Sequence, residues 1–166
     1  MSRKIILGID TGLAITGWAT IELKDKRELE VQNYGYIKTE PENNLSERLL
    51  YIYTQLKKIV NKYKPDIICI EEIYYPLNNG VPRYSKSIIN TSQARGIVLL
   101  IAAQKNITVK EFNAKTVKLS VTGYGGATKY QVHGMIQKLL YLKNLPKLDD
   151  ISDALALAYV GSAYVC

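Results

Sequence analysis

Cysteine, histidine, phenylalanine and tryptophan are scarce in this chain of 166 residues, which has two Cys, one His, one Phe and one Trp. Cys69 lies in an apolar run and Cys166 is the last residue, so neither has a partner at the spacing of a zinc motif. The sequence therefore predicts neither a disulfide framework nor a zinc site, and it fits a reducing cytoplasm. His133 lies in a predicted helix, where a lone histidine is usually an ordinary surface or core residue, and we assign it no role.

Long hydrophobic runs are absent as well. The longest, residues 97–103 (IVLLIAA), is far shorter than the ~20 residues that cross a bilayer. The opening segment MSRKIILGID reaches Asp10 too early to hold the core of a secretory signal. We therefore expect a protein without a membrane segment that works in the cytoplasm.

Acidic residues are outnumbered, since 15 Asp and Glu face 22 Lys and Arg and the net charge is +7. This excess favours a polyanionic partner such as nucleic acid, although a basic soluble surface alone would explain it. Tyrosine is also abundant, with 13 residues. Compositional bias explains most of them, but Tyr74 and Tyr75 directly follow an acidic strand end.

The hydrophobic pattern predicts a single α/β domain over residues 1–166. Apolar, β-branched runs predict strands at 4–10, 15–23, 29–39, 66–71 and 107–112. Helical patterns predict helices at 44–63, 85–104, 113–121, 128–142 and 150–164, and residues 75–83 read as a loop. Strands come first and a βαβ alternation follows, which indicates a mixed sheet flanked by helices. Gly12, in the short turn that joins the first two strands as a hairpin, is able to take a positive φ.

Acidic residues stand where predicted strands end and where the last helix begins. Asp10 ends the first strand and Glu71 ends the fourth. Asp150 and Asp153, spaced i, i+3, share a helix face about 5–6 Å apart, so their charges repel by roughly 3 kcal/mol at an effective dielectric constant of 20. Taken singly, each has an ordinary explanation, because acids complement a helix start and a strand can simply emerge into solvent. In open α/β sheets, however, sites form beyond the carboxyl ends of strands.

Carboxylates that converge in this way require cations. Oxygen ligands without His or Cys select hard ions such as Mg²⁺ or Mn²⁺, and two such ions can promote phosphodiester cleavage. Lys118 and Lys129 bracket the glycine-rich segment 123–126 and could stabilise charge on the scissile phosphate. Arg83 and Lys86 are candidates for contacts with flanking phosphates.

Five segments, in the same order, resemble the RuvC family of Holliday junction resolvases: ILGIDTG, CIEEIYY, SQARG, VKLSVTGYGGATKYQVHGMI and DDISDALALAYV. The resemblance covers essentially the whole chain, and D-x-x-D-A-L-A combined with the strand-end Asp and Glu is its specific part. It implies a ribonuclease H-like fold with a five-stranded mixed sheet. It also implies a symmetric homodimer whose subunits each nick one strand of a four-way DNA junction, with Mg²⁺ or Mn²⁺, two ions per active site.

The resemblance also implies roles for individual residues. The family's acidic and basic active-site positions fall on Asp10, Glu71, Asp150, Asp153, Lys118 and Lys129. Its aromatic wedge falls on Tyr74, and the adjacent Tyr75 is a second candidate for DNA contact. The helix that carries SQARG matches the dimerising helix, where the small residues Ser92, Ala94 and Gly96 would let a second copy approach, although packing of that helix onto its own sheet would explain them equally well.

Three positions depart from the usual family sequence. Thr11 replaces the proline of G-I-D-P-G, Glu72 stands where the family usually has Gln, and Tyr74 stands where Phe is common. Tyrosine keeps a face on which a base can stack. Period-two alternation sends Glu71 and Glu72 to opposite faces, so only one can bind metal directly. The spacing to Tyr74 favours Glu71, and the choice stays open.

Other functions fit part of the same pattern. GIDTGLAITG resembles the first phosphate-binding hairpin of actin-like phosphotransferases, but the chain is short for two such domains and lacks the second motif. A non-catalytic junction-binding protein would share every residue named above. So would a broader nuclease that acts on forks, flaps or RNA-containing substrates. The sequence leaves open the cleavage preference, a bacterial or phage origin, and whether a branch-migration complex is a partner.

Overall fold

The computed structural model describes residues 3–25, 28–79, 81–82, 85–144 and 146–165. Its strands are β1 Lys4–Asp10, β2 Ile15–Leu23, β3 Leu29–Lys38, β4 Ile67–Glu71, β5 Leu77–Asn78, β6 Val81–Pro82 and β7 Thr108–Phe112. Its helices are α1 Leu45–Tyr63, α2 Lys86–Lys105, α3 Ala114–Thr122, α4 Lys129–Leu139 and α5 Asp149–Gly161, and a short 3₁₀ helix, Ser162–Tyr164, follows α5.

Five strands form one sheet in the order β3-β2-β1-β4-β7. β2 is antiparallel to both β1 and β3, whereas β4 pairs in parallel with β1 and β7 in parallel with β4. The predicted α/β class and five-stranded mixed sheet are thus confirmed. The parallel register pairs Ile9 with Ile70, so the next residues, Asp10 and Glu71, end their strands side by side.

Alternation along the central strands divides the apolar core into two layers. Leu7, Ile9 and Ile68 pack with α1 and α2 on one side of the sheet. Ile6 and Cys69 pack on the other side, with α5 and with residues of α3 and α4. We call these the α1/α2 layer and the α5 layer. The parallel part of the sheet is therefore covered on both faces, as parallel strands require.

Glycines let α5 lie directly on the sheet. A methyl group at Gly8 would overlap the carbonyl oxygen of Ala154, and one at Gly17 would overlap that of Asp150. Gly161 of α5 faces the Cys69 sulfur on β4 in the same way. Since Gly17 is paired with Asp10, this close approach brings the start of α5 to the end of β1.

Local polar residues explain where most helices begin. Asn44 caps α1 and forms a capping box with Glu47. Thr128 and Gln131 form the same arrangement at the start of α4. Ser85 and Asn113 cap α2 and α3, respectively. The helix α5 instead begins after Leu148, with Asp149 and Asp150 in its first turn, where negative charge complements the helix dipole.

Two predicted details are wrong, and Gly12 does not use the positive φ that a glycine allows. Among the described glycines only Gly123 has a positive φ, 76°, at the end of α3. Gly12 is required for space instead, because a methyl group there would overlap the Ile15 carbonyl oxygen. The helix predicted to reach residue 142 ends at Leu139, and Tyr141 has a φ of 52° that no helix accommodates. The predicted loop at 75–83 contains the β5–β6 hairpin. Within the described ranges, no helix combines the length and apolar character needed to cross a membrane.

Candidate active site

Asp10 and Glu71 project from the sheet on the side of α5. Ile6 and Cys69 belong to the α5 layer, and alternate residues of a strand share a face, so Asp10 and Glu71 point the same way. Glu72 has the opposite parity and is exposed, while its backbone N–H donates to the Phe112 carbonyl oxygen. The structure thus places Glu71, and not Glu72, on the side where α5 begins.

The predicted carboxylates lie close enough for their charges to affect the ionisation of Asp10 and Glu71. The pKa of Asp10 rises to about 7 because the group is buried and because Asp153, Asp150 and Glu71 add negative charge. Burial and Asp153 also raise the pKa of Glu71, against the opposing charges of Lys129 and Lys118. Strand ends and helix start therefore converge on one acidic cluster, with two lysines at its border.

Asp153 is held by two basic side chains of α4. Its Oδ2 lies 2.8 Å from the Lys129 ammonium nitrogen, and its Oδ1 lies 2.7 Å from Nε2 of His133. Burial acts to raise the pKa of Asp153, but the hydrogen bonds from His133 and Lys129 outweigh it and leave that pKa below its ordinary value. Lys129 also lies 3.6 Å from Oδ2 of Asp149, and its own pKa is raised, since Asp153 and the nearby Asp149 and Asp10 outweigh the effect of burial.

These residues fit a hard divalent cation by their chemistry, although their side chains do not yet form a coordination cage. Among the residues that the structure describes, no three His, Cys, Asp or Glu side chains are arranged to hold an ion. The reason lies partly at Asp153, whose oxygens are engaged by Lys129 and His133. The donors are nevertheless carboxylate oxygens, which Mg²⁺ and Mn²⁺ prefer. The pKa of Asp10 is raised by burial first and then by the charges of Asp153, Asp150 and Glu71, and a bound cation would offset both effects.

Two hollows meet at Glu71. One, of about 270 Å³, is lined by Glu71, Asp153, Lys118 and Lys129 together with apolar residues of α3, α4 and α5. The other, of about 200 Å³, is lined by Asp10, Glu71, Glu72 and Tyr74 and by the start of α2. The acidic cluster is thus open on a basic side and on an aromatic side, which suits a site that receives a phosphate chain and its bases.

The predicted DNA-contact residues lie around these hollows with one exception. Tyr74 borders the second hollow and is 79% exposed, and Tyr75 is exposed beside it. Lys86 is the exposed first residue of α2, next to Ser87, which lines the same hollow. Arg83 lies outside the described residues.

The sequence did not predict that His133 contacts one of the acidic residues. We assigned it no role, yet the structure buries it on α4 against Asp153. One signal could have pointed to it, because His133 follows Lys129 by four positions in a predicted helix and so shares its face. No local pattern, however, relates His133 to a residue twenty positions further along the chain.

Comparison with known proteins adds a family to this geometry. The family model described as Crossover junction endodeoxyribonuclease RuvC matches residues 6–160. A protein of that name from Caldicellulosiruptor saccharolyticus is 42% identical over 153 residues, which are 92% of this chain and 89% of the relative. Another of that name, from Fusobacterium nucleatum subsp. nucleatum, is 40% identical over 152 residues, or 92% of this chain and 76% of the relative.

Solved structures agree with this match. T. thermophilus RuvC in complex with Holliday junction substrate aligns with a TM-score of 0.86 and 25% identity over 97% of this chain and 94% of its own. The yeast mitochondrial Holliday junction resolvase Ydc2, at 12% identity, aligns with a TM-score of 0.65 over 96% of this chain and 79% of its own, and shares the fold. The predicted ribonuclease H-like fold is confirmed.

Proposed function

The chain belongs to the RuvC family of crossover junction endodeoxyribonucleases, and we propose that Asp10, Glu71, Asp150 and Asp153 are its catalytic carboxylates. As a member of that family it is a metal-dependent, structure-selective DNA endonuclease that resolves four-way junctions in recombination and repair. The observation that carries the residue assignment is the meeting of strand ends and helix start. It buries Asp10 beside three other carboxylates and raises the pKa of Asp10 to about 7.

The metal we propose is Mg²⁺ or Mn²⁺, with two ions in each active site. Support comes from the donor set, which consists of carboxylate oxygens gathered where two strands end and α5 begins. When bound, such ions supply an activated water and stabilise the leaving oxygen of the phosphodiester. The protein's part is to hold the carboxylates in place, which it does through the strand ends and through the close packing of α5 on Gly8 and Gly17.

We assign the two lysines at the border of the cluster to the phosphate. Lys118 and Lys129 line the 270 Å³ hollow beside Glu71 and Asp153. Ammonium groups in that position stabilise negative charge as it develops on the scissile phosphate. Lys129 can have two partners in turn. Its ammonium bonds Asp153 in this structure, and it can bond a phosphate instead when a cation neutralises the carboxylates.

Tyr74 and its surroundings are our candidates for holding the DNA. An exposed ring beside the acidic cluster can stack on a base, a contact worth ~1–3 kcal/mol. Tyr75 and Lys86 border the same side, and Lys86 would contact a phosphate without reading sequence. Arg83 keeps the same predicted role from the sequence alone.

We further propose a homodimer through α2. Ile89, Gly96 and Leu100 are exposed on this helix, at spacings of seven and four residues that place them along one face. Ala94, also considered for this contact, is buried in its own α1/α2 layer and cannot serve it. A twofold contact would supply two active sites for paired nicks. If α2 forms it, Leu100→Glu will shift the protein from dimer to monomer in sedimentation velocity, and an unchanged dimer would exclude this face.

Three further points stay predictions. We propose a single nuclease domain over residues 1–166, because both apolar layers share the one five-stranded sheet. A cytoplasmic location follows from the expected work on chromosomal or phage DNA. A branch-migration complex as partner is a prediction to which no residue is assigned.

The decisive experiment compares two adjacent glutamates. On a labelled four-way junction with Mg²⁺, Asp10→Asn and Glu71→Gln should lower the cleavage rate at least ~100-fold, because several kcal/mol of metal-dependent stabilisation are lost. Junction binding in a gel-shift assay should persist. Glu72→Gln is the matched control and should cleave at the parental rate. Parental cleavage by Asp10→Asn or Glu71→Gln would disprove the assignment.

A substrate panel separates the remaining candidate functions. A resolvase should cut a four-way junction at symmetric positions and leave forks and flaps largely intact. Equal cutting of forks and flaps would indicate a broader branched-DNA nuclease. Junction binding without nicks under any divalent ion would indicate a non-catalytic binding protein.

A further inference from the structure

We propose that His133 is a positioning residue of the metal site, which anchors one oxygen of Asp153 and leaves the other for a cation. The inference deepens the proposed function and rests on Asp153 as a metal ligand. It concerns a side chain that no part of the proposed mechanism yet uses.

The contact between His133 and Asp153 is short and sheltered. Nε2 of His133 lies 2.7 Å from Oδ1 of Asp153, and the histidine side chain is only 8% exposed. An ionised carboxylate can only accept hydrogen bonds, so Nε2 carries the proton and donates it. The other ring nitrogen, Nδ1, lies 3.8 Å from Oδ1 of Asp149, which is too long for a hydrogen bond.

The helix that carries His133 is itself held firmly. Thr128 and Gln131 form the capping box at its start. Val132 and Ile136, next to His133 and one turn on, are buried in the α5 layer. The capping box therefore determines where α4 starts, and packing determines its rotation and depth. The imidazole of His133 thus reaches Asp153 from a helix whose position is well defined. Such support is what keeps a metal ligand in one rotamer.

The two oxygens of Asp153 have partners of different character. Oδ1 is bonded by the buried imidazole of His133. Oδ2 is bonded at 2.8 Å by Lys129, whose side chain is 55% exposed and therefore able to withdraw into solvent. We infer that the imidazole stays when a divalent cation arrives and that the ammonium leaves. Lys129 then acts at Asp153 as a replaceable cation.

Matched variants test the anchor. In His133→Gln an amide N–H donor stands about where Nε2 stood, whereas in His133→Asn the amide reaches only the position of Nδ1. Mn²⁺ affinity of the DNA-free protein, measured by calorimetry, should fall ~10–100-fold in His133→Asn, the loss typical when a ligand's supporting group is removed. His133→Gln should recover most of it. Circular dichroism and thermal unfolding in EDTA identify folded variants, and His133→Leu, with the same expected loss, replaces the Asn variant if that fails to fold.

Lys129→Met provides a contrast of opposite sign. If Lys129 competes with the metal for Asp153, this variant should bind Mn²⁺ more tightly than the parent. Weaker binding in Lys129→Met, or parental binding in His133→Asn, would overturn the division of roles. Equal losses of Mn²⁺ affinity in folded His133→Asn and His133→Gln would show that the position of the N–H donor does not matter, which would overturn the role of Nε2.

Asp10→Asn distinguishes failure of this inference from failure of the proposed function. If Asp10→Asn weakens Mn²⁺ binding and His133→Asn does not, only the role of His133 is wrong. If neither weakens it, the metal does not bind at this cluster and the proposed catalytic carboxylates fail with it.

Discussion

The α1/α2 layer and the α5 layer hold the same sheet by different means. In the α1/α2 layer, branched side chains such as Ile9, Ile52 and Ile68 fill the space between helices and strands. In the α5 layer, Gly8 and Gly17 leave the strands in direct contact with the helix backbone. Aliphatic side chains can repack when one is changed, whereas a backbone carbonyl against a glycine cannot move without its helix.

This difference matches what each layer carries. The α5 layer holds Asp10, Glu71, Asp150 and Asp153, whose distances decide whether a cation can be shared. The α1/α2 layer contributes mainly apolar burial, plus the start of α2 at one hollow. The packing that adapts least, that of α5 against the glycines, therefore lies beside the carboxylates, whose positions must be most exact. Substitutions in the α5 layer should accordingly reduce stability and cleavage together, whereas those in the α1/α2 layer should reduce stability alone.

The largest effect is expected from Gly17→Ala. Its methyl group would overlap the Asp150 carbonyl oxygen, so α5 must shift or the fold must open. The free energy of unfolding should fall by more than ~4 kcal/mol, at the upper end for single substitutions. Urea denaturation measures it, and cleavage should be lost with it. A loss below ~1 kcal/mol, the size of an ordinary surface effect, would show that α5 is not held as tightly as described.

Asp10→Asn should stabilise the metal-free protein while abolishing cleavage. The pKa of Asp10 rises from 3.8 in the unfolded chain to about 7 in the fold. The folded state therefore retains a proton that the unfolded state releases, and parental stability falls as the pH rises from 4 through 7. A difference of one unit between the folded and unfolded pKa values corresponds to about 1.4 kcal/mol. The free energy of unfolding of the Asn variant should therefore exceed that of the parent by ~2–4 kcal/mol at pH 8.

At pH 4 most of that gain should vanish, because Asp10 is protonated in the fold and the unfolded chain, now close to its own pKa of 3.8, also retains a large share of the proton. Denaturation in EDTA at pH 4 and at pH 8 gives the comparison. Mg²⁺ should then stabilise the parent more than the variant. A gain that is the same at both pH values would mean that the charge of Asp10 is not its source.

Ile52→Val represents the adaptable layer. Ile52 is fully buried in α1, and the loss of one methylene there should cost ~1 kcal/mol of unfolding free energy. The cleavage rate should not change, because the carboxylates lie across the sheet. A drop in cleavage without further loss of stability would show that the α1/α2 layer also determines the site.

Gly134→Ala should have the smallest effect and the opposite sign. This glycine lies in α4, and an added methyl group would meet nothing within 4 Å. Alanine in place of glycine inside a helix should stabilise by ~0.5–1 kcal/mol. Thermal unfolding of the Gly134→Ala and Gly17→Ala variants measures the two effects side by side. Destabilisation by Gly134→Ala would show that the added methyl group is not accommodated on α4.

Much of the geometry of the candidate site could be predicted, because its parts obey local rules. Period-two alternation in IICIE and KIILGID determines which face Glu71 and Asp10 share, and i, i+3 spacing joins Asp150 to Asp153. The limits of helices are also local, and the predicted ends of α1 and α2 differ from the observed ones by a residue or so. The helix predicted to reach residue 142 failed because hydrophobic periodicity continues past the point where Tyr141 turns the chain.

The sequence by itself determined the elements, the order of the acidic positions and the family, because propensity, periodicity and motif spacing act over a few residues. Only the tertiary structure decided that Gly8 and Gly17 let α5 pack directly on the strands, that Asp10 has a pKa of about 7, and that His133 forms a hydrogen bond with Asp153. Those properties depend on distances between segments far apart in the chain. Packing of the whole core sets such distances, and no local pattern contains them.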